Sequence, residues 1–388
     1  MTAHALLSPS SASRWLACTP SAKLSLDFPD TAGEAAKEGT VAHSLCELLI
    51  RSKLEKMPRK AFQQLYKPIT QSEYFDGQML EHCEDFATFV MEKFNEAKAH
   101  TPSAQIYLEQ RLSFEEYMPG QFGTGDVIIV ADHRLSVIDF KYGKGVTVSA
   151  TENKQMMIYG IGALSVFGFI YEIAEVEMTI YQPRTDNVVS YTIVASELTN
   201  WAETELRAKA ALALEGKGEF VVGEHCRFCK VKPRCRAHSE YNLSLAALEF
   251  KEGPLLSDDE IADVLTKSST FTQWITAVEE YALRYVLEGN SLPGYKLVEG
   301  RSNRKYVDED KVAKAILGKT ETDENALYKP TALIGITEME KLLGKKTFEQ
   351  VLAGLILKPS GKPTLVPASD KRDPINSLAQ AAEDFKDE

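Results

Sequence analysis

No apolar run in this 388-residue sequence is long enough to cross a bilayer. The most apolar segment, YGIGALSVFGFIYEIA, falls short of a span and ends at Glu172 and Glu175. The opening, MTAHALLSPSSASRW, lacks a basic start followed by an apolar stretch, so it does not read as a signal peptide. These two absences set the expectation of a cytoplasmic protein with no membrane partner. Excess positive charge is lacking as well: 44 Lys and Arg against 56 Asp and Glu leave a net charge of −12. That balance excludes a protein that coats nucleic acid by bulk charge, while leaving room for an enzyme with a local basic channel. Repeats and low-complexity tracts are missing, and only the tail AAEDFKDE is expected to fray. Cysteine is scarce, six residues in all, and in a cytosolic chain such thiols are ligands or core residues more often than disulfides.

The length suggests two or three domains. Clustered serines in SPSSASRWLAC cap a short amphipathic helix. Further helices are expected over about 35–51 and 76–98. AQIYLEQRLSF reads as a strand, and DVIIVADHRLSVIDFK as two strands around a tight Asp132-His133 turn. ENKQMMIYGIGALSVFG suits a helix, EVEMTIYQP and VVSYTIVA are alternating strands joined across RTDN, and a helix follows over 196–214. The order helix, three strands, helix, strand predicts an α/β core with helices packed on a mixed sheet. Past about Tyr241 the composition turns to helix-forming segments interrupted by SLPGYKLVEGRSNRKY and LKPSGKPTLVPASDKR, which predicts a boundary there: one domain over 1–240 and an α-rich accessory domain over 241–388.

With Asp132 and His133 at the turn, Val130 pairs with Leu135, Ile128 with Val137, and Asp126 with Asp139. All six share one face, as does Lys141, while Val127, Ile129, Ile138 and Phe140 take the other. Opposed residues have Cβ atoms about 4.5–5.5 Å apart. Two carboxylates that close, at the end of an apolar stripe, repel and lose hydration unless a cation lies between them or one stays protonated. Oxygen-rich donors of this kind suit Mg²⁺ or Mn²⁺. The competing reading is of strand ends emerging into solvent. His43 lies on the helix of EGTVAHSLCELL with Glu47 four residues on, and Gln155 and Tyr159 stand at the same spacing on a later helix. Taken singly, each would pass for a packed or solvated side chain.

Together these pieces resemble the PD-(D/E)XK nuclease superfamily: GTGD, IDFK and QMMIY match its Asp, Asp-x-Lys and Gln-x-x-x-Tyr motifs. GTVAHSLCE can supply the upstream histidine of the RecB-like branch, and the resemblance covers about residues 8–240. The whole chain is also similar to a phage or prophage family of RecB-like proteins. The resemblance implies a restriction-endonuclease-like core and metal-dependent cleavage of DNA, single-stranded or at duplex ends, by an exonuclease serving phage recombination, repair or replication in the bacterial host cytoplasm, with recombination or replication proteins as partners. His43, Asp126, Asp139 and the Phe140 carbonyl would ligate Mn²⁺ or Mg²⁺, Lys141 would orient or deprotonate the attacking water, and Gln155 and Tyr159 would position the strand. Glu47 and Lys144 could support the site from behind. The rival readings are an inactive DNA-binding scaffold and a zinc-containing adaptor.

Three of the six cysteines fall in CRFCKVKPRCR, at C-x2-C-x5-C spacing. In the iron–sulfur RecB-like nucleases (AddB-type and CRISPR-associated), one cysteine precedes the nuclease motifs and three follow. That resemblance assigns Cys18, Cys226, Cys229 and Cys235 to a [4Fe–4S] cluster that clips the ends of the domain together. A Zn²⁺ site, with His225 or His238 replacing Cys18, is the alternative. Cys46 and Cys83 read as core thiols. Arg227, Lys230, Lys232, Arg234 and Arg236, with no acid among them, suggest an edge that contacts phosphate, to which Lys144 could add. Arg301, Arg304 and Lys305 form a second, weaker basic group.

Overall fold

The structure is a computed structural model that describes residues 5–28, 33–55, 57–144, 147–246, 258–300, 305–320, 327–329, 332–333, 335–357, 363–367 and 374. It divides into two compact units, Met1–Phe271 and Thr272–Glu388. The first unit opens with two short helices, α1 (Ala12–Ala17) and α2 (Pro20–Leu24). Three longer ones follow: α3 (Glu34–Leu54), α4 (Arg59–Thr70) and α5 (Gly77–His100). Strands β1 (Gln105–Ser113), β2 (Phe122–Ala131) and β3 (His133–Phe140) lead to α6 (Lys154–Phe167). Then come β4 (Ile173–Gln182) and β5 (Asn187–Val194). The five strands lie in chain order in one sheet, β3 and β4 parallel and the other neighbours antiparallel. The sheet is mixed because α6 carries the chain over one face between β3 and β4.

The β2–β3 hairpin shows why the sequence folds this way. Its turn is made possible by His133 in the left-handed region (φ 66°), and its register pairs Val127 with Ile138, Ile128 with Val137 and Val130 with Leu135. Alternation then sends Ile128, Val130, Leu135 and Val137 into a core shared with α6, and Val127, Ile129, Ile138 and Phe140 into a second core built on α3 and α5. Each such side chain, fully buried, contributes roughly 1.5–3 kcal/mol. Cys46 and Cys83 belong to the second core. The first core reaches from Leu7 and Trp15 through α6 to Leu206, Ala210 and Ala213.

Two segments differ from expectation. Residues 59–70 form α4, which has no fully buried residue. Phe62, Tyr66 and Ile69 lie along one of its faces and pack only partly against the α3–α5 core. The helix expected over 196–214 is α7 (Ala195–Trp201) and α8 (Arg207–Glu215), joined by a π-helical turn at Ala202–Leu206. A helix at Arg236–Ala246 and part of a long one at Asp258–Leu287 complete the first unit.

The second unit is helical around a core of Val312, Ile316, Met339, Phe348 and Val351, with helices at Glu309–Lys319, Ile336–Leu343 and Lys345–Val351. It also carries small two-stranded sheets, among them Tyr295–Glu299 with Pro363–Pro367. Those two strands come from the stretches that read as interruptions, and each finds its partner far along the chain. Among the described residues no helix is long and apolar enough to cross a membrane.

Candidate metal centre

The next step of the β2–β3 register beyond Val127 and Ile138 sets Asp126 opposite Asp139. The environments of the two carboxylates differ. Asp126 is partly exposed, and its Oδ2 accepts the Phe140 backbone N–H at 2.8 Å. Its Oδ1 lies 3.5 Å from Nδ1 of His43, which α3 brings to the strand end with its ring edge-on to Phe140. Asp139 is buried, with 4% of its surface exposed. Its Oδ1 accepts Gln155 Nε2–H at 2.9 Å, and its Oδ2 lies 2.9 Å from Lys141 Nζ. Lys141, whose ammonium has three N–H donors, also donates to Gln155 Oε1 at 3.0 Å. Lys141 thus bridges the buried carboxylate and the Gln155 amide.

Gln155 reaches both residues because Asn153 caps α6, its side chain accepting the backbone N–H groups of Gln155 and Met156. One turn on, Tyr159 is buried, and burial together with Asp139 and Asp126 pushes its hydroxyl well above the ordinary tyrosine range. Gly123 separates Tyr159 from the N-terminal segment; a Cβ there would stand 2.9 Å from the Pro9 ring and 3.1 Å from the Tyr159 ring.

The sequence reading missed Glu109. On β1 it stands across from Asp126, between the pairs Leu108–Val127 and Gln110–Gly125, in a left-handed conformation (φ 47°) that interrupts the ladder. His43, Glu109 and Asp126 offer ligand atoms that all lie within 4.8 Å of one another, the one such group among the described residues. Asp139, held by Lys141 and Gln155, stands outside it. Three oxygen and nitrogen donors at this spacing match the demands of a divalent cation. The sequence signal for Glu109 is a single acid inside an alternating strand, which does not by itself say what it faces.

The charges are strongly coupled. Burial opposes the His43 imidazolium, yet Asp126, Asp139 and Glu109 outweigh it and hold the ring at about 9. Burial, with Asp126 adding, raises Glu109 to about 7. Burial also raises Asp139, against the pull of Lys141. Too many carboxylates for the protons and cations present is the state in which a metal site binds its ion. Glu47 pairs with Arg51 at 2.7 Å, and the two act on Glu109 in opposite directions, Glu47 raising it and Arg51 lowering it. Lys144 is exposed, and its charge helps lower Glu38 after the larger effect of Arg184. Arg184 clamps Glu38, donates to the Tyr142 carbonyl at 3.1 Å and lies 4.0 Å from the Tyr142 ring. It thereby ties the start of α3 to the chain leaving Lys141.

Cys18, Cys226, Cys229 and Cys235 all line one small pocket of about 20 Å³, with His225 and His238. None is in a disulfide. The pocket has room for about one water-sized sphere, and no three of these sulfurs lie within 4.8 Å of one another. Tetrahedral zinc, with Zn–S near 2.3 Å, needs sulfurs about 3.8 Å apart, closer together than any three of these lie. As arranged, the cysteines form neither the expected [4Fe–4S] site nor the zinc alternative. Burial raises the thiols of Cys226 and Cys229. His238 is buried and engages Asn242, while His225 Nε2 lies 2.8 Å from the Val221 carbonyl. Arg227, Lys230, Arg234 and Arg236 are exposed nearby, and Lys232 Nζ donates to the Arg227 carbonyl at 2.9 Å. Arg301 and Arg304 lie outside the described residues; Lys305 is in a short strand.

Two solved structures resemble the chain distantly. The crystal structure of SSO0001 is 16% identical, covering 57% of this chain and 95% of its own, with a TM-score of 0.23. That of a protein named "Putative exonuclease" from Eubacterium rectale is 10% identical, covering 64% of this chain and 90% of its own, with a TM-score of 0.34. Scores this low give neither neighbour any weight. The match that spans the molecule is to a family model over residues 4–373, and by it the chain belongs to the family DUF2800, described as "Protein of unknown function".

Proposed function

We propose that this chain is a divalent-metal-dependent deoxyribonuclease, an exonuclease acting on single-stranded DNA or DNA ends in phage recombination, repair or replication. The observation that carries this reading is the convergence of His43, Glu109 and Asp126 beside the buried Asp139. His43, Glu109 and Asp126, with Asp139 as a further donor, would hold Mg²⁺ or Mn²⁺, which would acidify a bound water and neutralise charge on the phosphate. The imidazole donor favours Mn²⁺.

The protein's own groups do the rest. Lys141, steadied by Gln155, would orient the attacking water or help deprotonate it. Tyr159 keeps its proton at any physiological pH and can donate to a phosphate oxygen. The Phe140 amide and His43 fix the Asp126 carboxylate, so its lone pairs are aimed before any ligand arrives.

The test is cleavage of end-labelled single- and double-stranded DNA with each divalent metal. Mn²⁺ or Mg²⁺ should support degradation from an end, and Asp139→Ala should abolish it while leaving the protein folded. Unchanged cleavage in that variant removes the proposed site. DNA binding without cleavage under every metal would favour the inactive scaffold instead.

A further inference from the structure

A second cavity, of about 460 Å³, lies beside the cysteine region and is lined by the N-terminal serines Ser8, Ser10, Ser11 and Ser13 and by Phe228. Its size is that of a small-ligand pocket. Three features set it apart. None of its lining residues is acidic, although acids outnumber bases in the chain by 56 to 44. Arg14, His225 and Lys230 supply its basic character. Phe228 is 78% exposed, with the Arg227 guanidinium 5.4 Å from its ring centre, so the ring contributes little to the core.

The serine wall is fixed in place before any ligand binds. Leu7 N–H donates to the buried Gln121 Oε1 at 2.9 Å, and Trp15 Nε1–H donates to the Ser8 carbonyl at 3.1 Å. One terminal nitrogen of Arg14 is tied to Ser21 and Ser25, which holds its charge in the wall. The serine turn also lies near Tyr159. Pro9, in the same turn as Ser8 and Ser10, and Tyr159 converge at Gly123, where a Cβ would stand 2.9 Å from the Pro9 ring and 3.1 Å from the Tyr159 ring.

From this arrangement we infer that the serine and Phe228 pocket is a binding subsite for single-stranded nucleic acid, the serine hydroxyls and neighbouring bases meeting one or two phosphates while a nucleobase stacks on Phe228. The inference rests on the nuclease reading for the direction of the strand, which would run from this pocket past Pro9, Gly123 and Tyr159 to the carboxylates. Serine hydroxyls donate to phosphate oxygens without fixing sequence. An exposed aromatic next to basic side chains is the usual platform for sequence-tolerant stacking.

The experiment measures fluorescence anisotropy of a labelled single-stranded DNA oligonucleotide in EDTA, with the full chain and the variants Phe228→Ala and Ser10→Glu. Both positions are exposed, so folding is checked simply by melting temperature. Phe228→Ala should weaken binding roughly fivefold or more, the scale of a lost base stack. Ser10→Glu should weaken it through charge and flatten its salt dependence. Cleavage of bis(p-nitrophenyl) phosphate, too small to span both places, should be unchanged in both variants. Wild-type affinity in both variants overturns the subsite, whatever Asp139→Ala does to cleavage. Oligonucleotide binding lost in the variants, in a protein that cleaves nothing, would support the subsite while removing the nuclease reading. Inorganic polyphosphate competing equally well against wild type and Phe228→Ala would overturn the stacking contact.

Discussion

His43 is held in conflict. Its ring is raised to about 9 by carboxylates that outweigh its burial, yet a metal ligand must be the neutral imidazole. The two demands have opposite signs in pH. Without metal, a histidine whose folded value lies above its ordinary 6.5 contributes stability that is complete below 6.5 and is lost as pH rises through about 9. Metal binding displaces that proton, so Mn²⁺ affinity should climb steadily from pH 6.5 to about 9. Calorimetric titration in buffers of different ionisation enthalpy should show proton release on binding, and His43→Asn should remove most of the pH slope. Affinity independent of pH would mean that His43 is not a ligand. At this scale the sequence was partly legible. Asp126, Asp139 and Lys141 could be placed because a two-residue turn fixes the register of β2 on β3. Glu109 could not, since β1 and β2 are joined by a longer connection (114–121) that leaves their register free, and its left-handed backbone breaks the alternation that would have located it.

At the scale of elements, α6 carries the most constraint. It delivers Gln155 and Tyr159 to the carboxylates and lies close against the sheet through Gly162, where a Cβ would stand 2.5 Å from the Phe114 ring. Phe114 is itself buried, 2% exposed, and has nowhere to retreat. Gly162→Ala should therefore destabilise, the overpacking cost of about 1–3 kcal/mol exceeding a helix-propensity gain of about 1 kcal/mol. Gly39→Ala, on α3 with nothing within 4 Å of the new Cβ, should gain that propensity without the cost. Urea midpoints for the pair separate packing from propensity, and equal shifts would contradict the close approach. The strands and main helices were legible because their apolar periods match their burial. The α4 helix and the small sheets of the second unit were not: one buries little, and the others depend on partners distant in sequence.

For the whole molecule, the question is what joins the two ends of the first unit. Thr19 donates to the Lys217 carbonyl at 2.6 Å, and Cys18 shares its pocket with Cys226, Cys229 and Cys235. The cysteines were found by spacing and resemblance, and the structure gathers them without the geometry of either metal site. Proposed as a clip, they should capture a metal whose ligation would expand or tighten the pocket. Anaerobically purified protein should be brown with about four irons per chain, and Cys18→Ala should lose iron and thermal stability together. Colourless protein with one zinc would select the tetrahedral site, and metal-free protein of undiminished stability would refute the clip.

The join between Thr19 and Lys217 also dictates timing. Leu7 and Trp15 are fully enclosed by a core that includes Leu206, Ala210 and Ala213. On a ribosome adding about 5–20 residues per second, these early side chains emerge on the order of ten seconds before their partners are synthesised. Through that interval the indole and its apolar neighbours have only the α6 side of their core to pack against, so a stalled or truncated product would present them to chaperones and proteases.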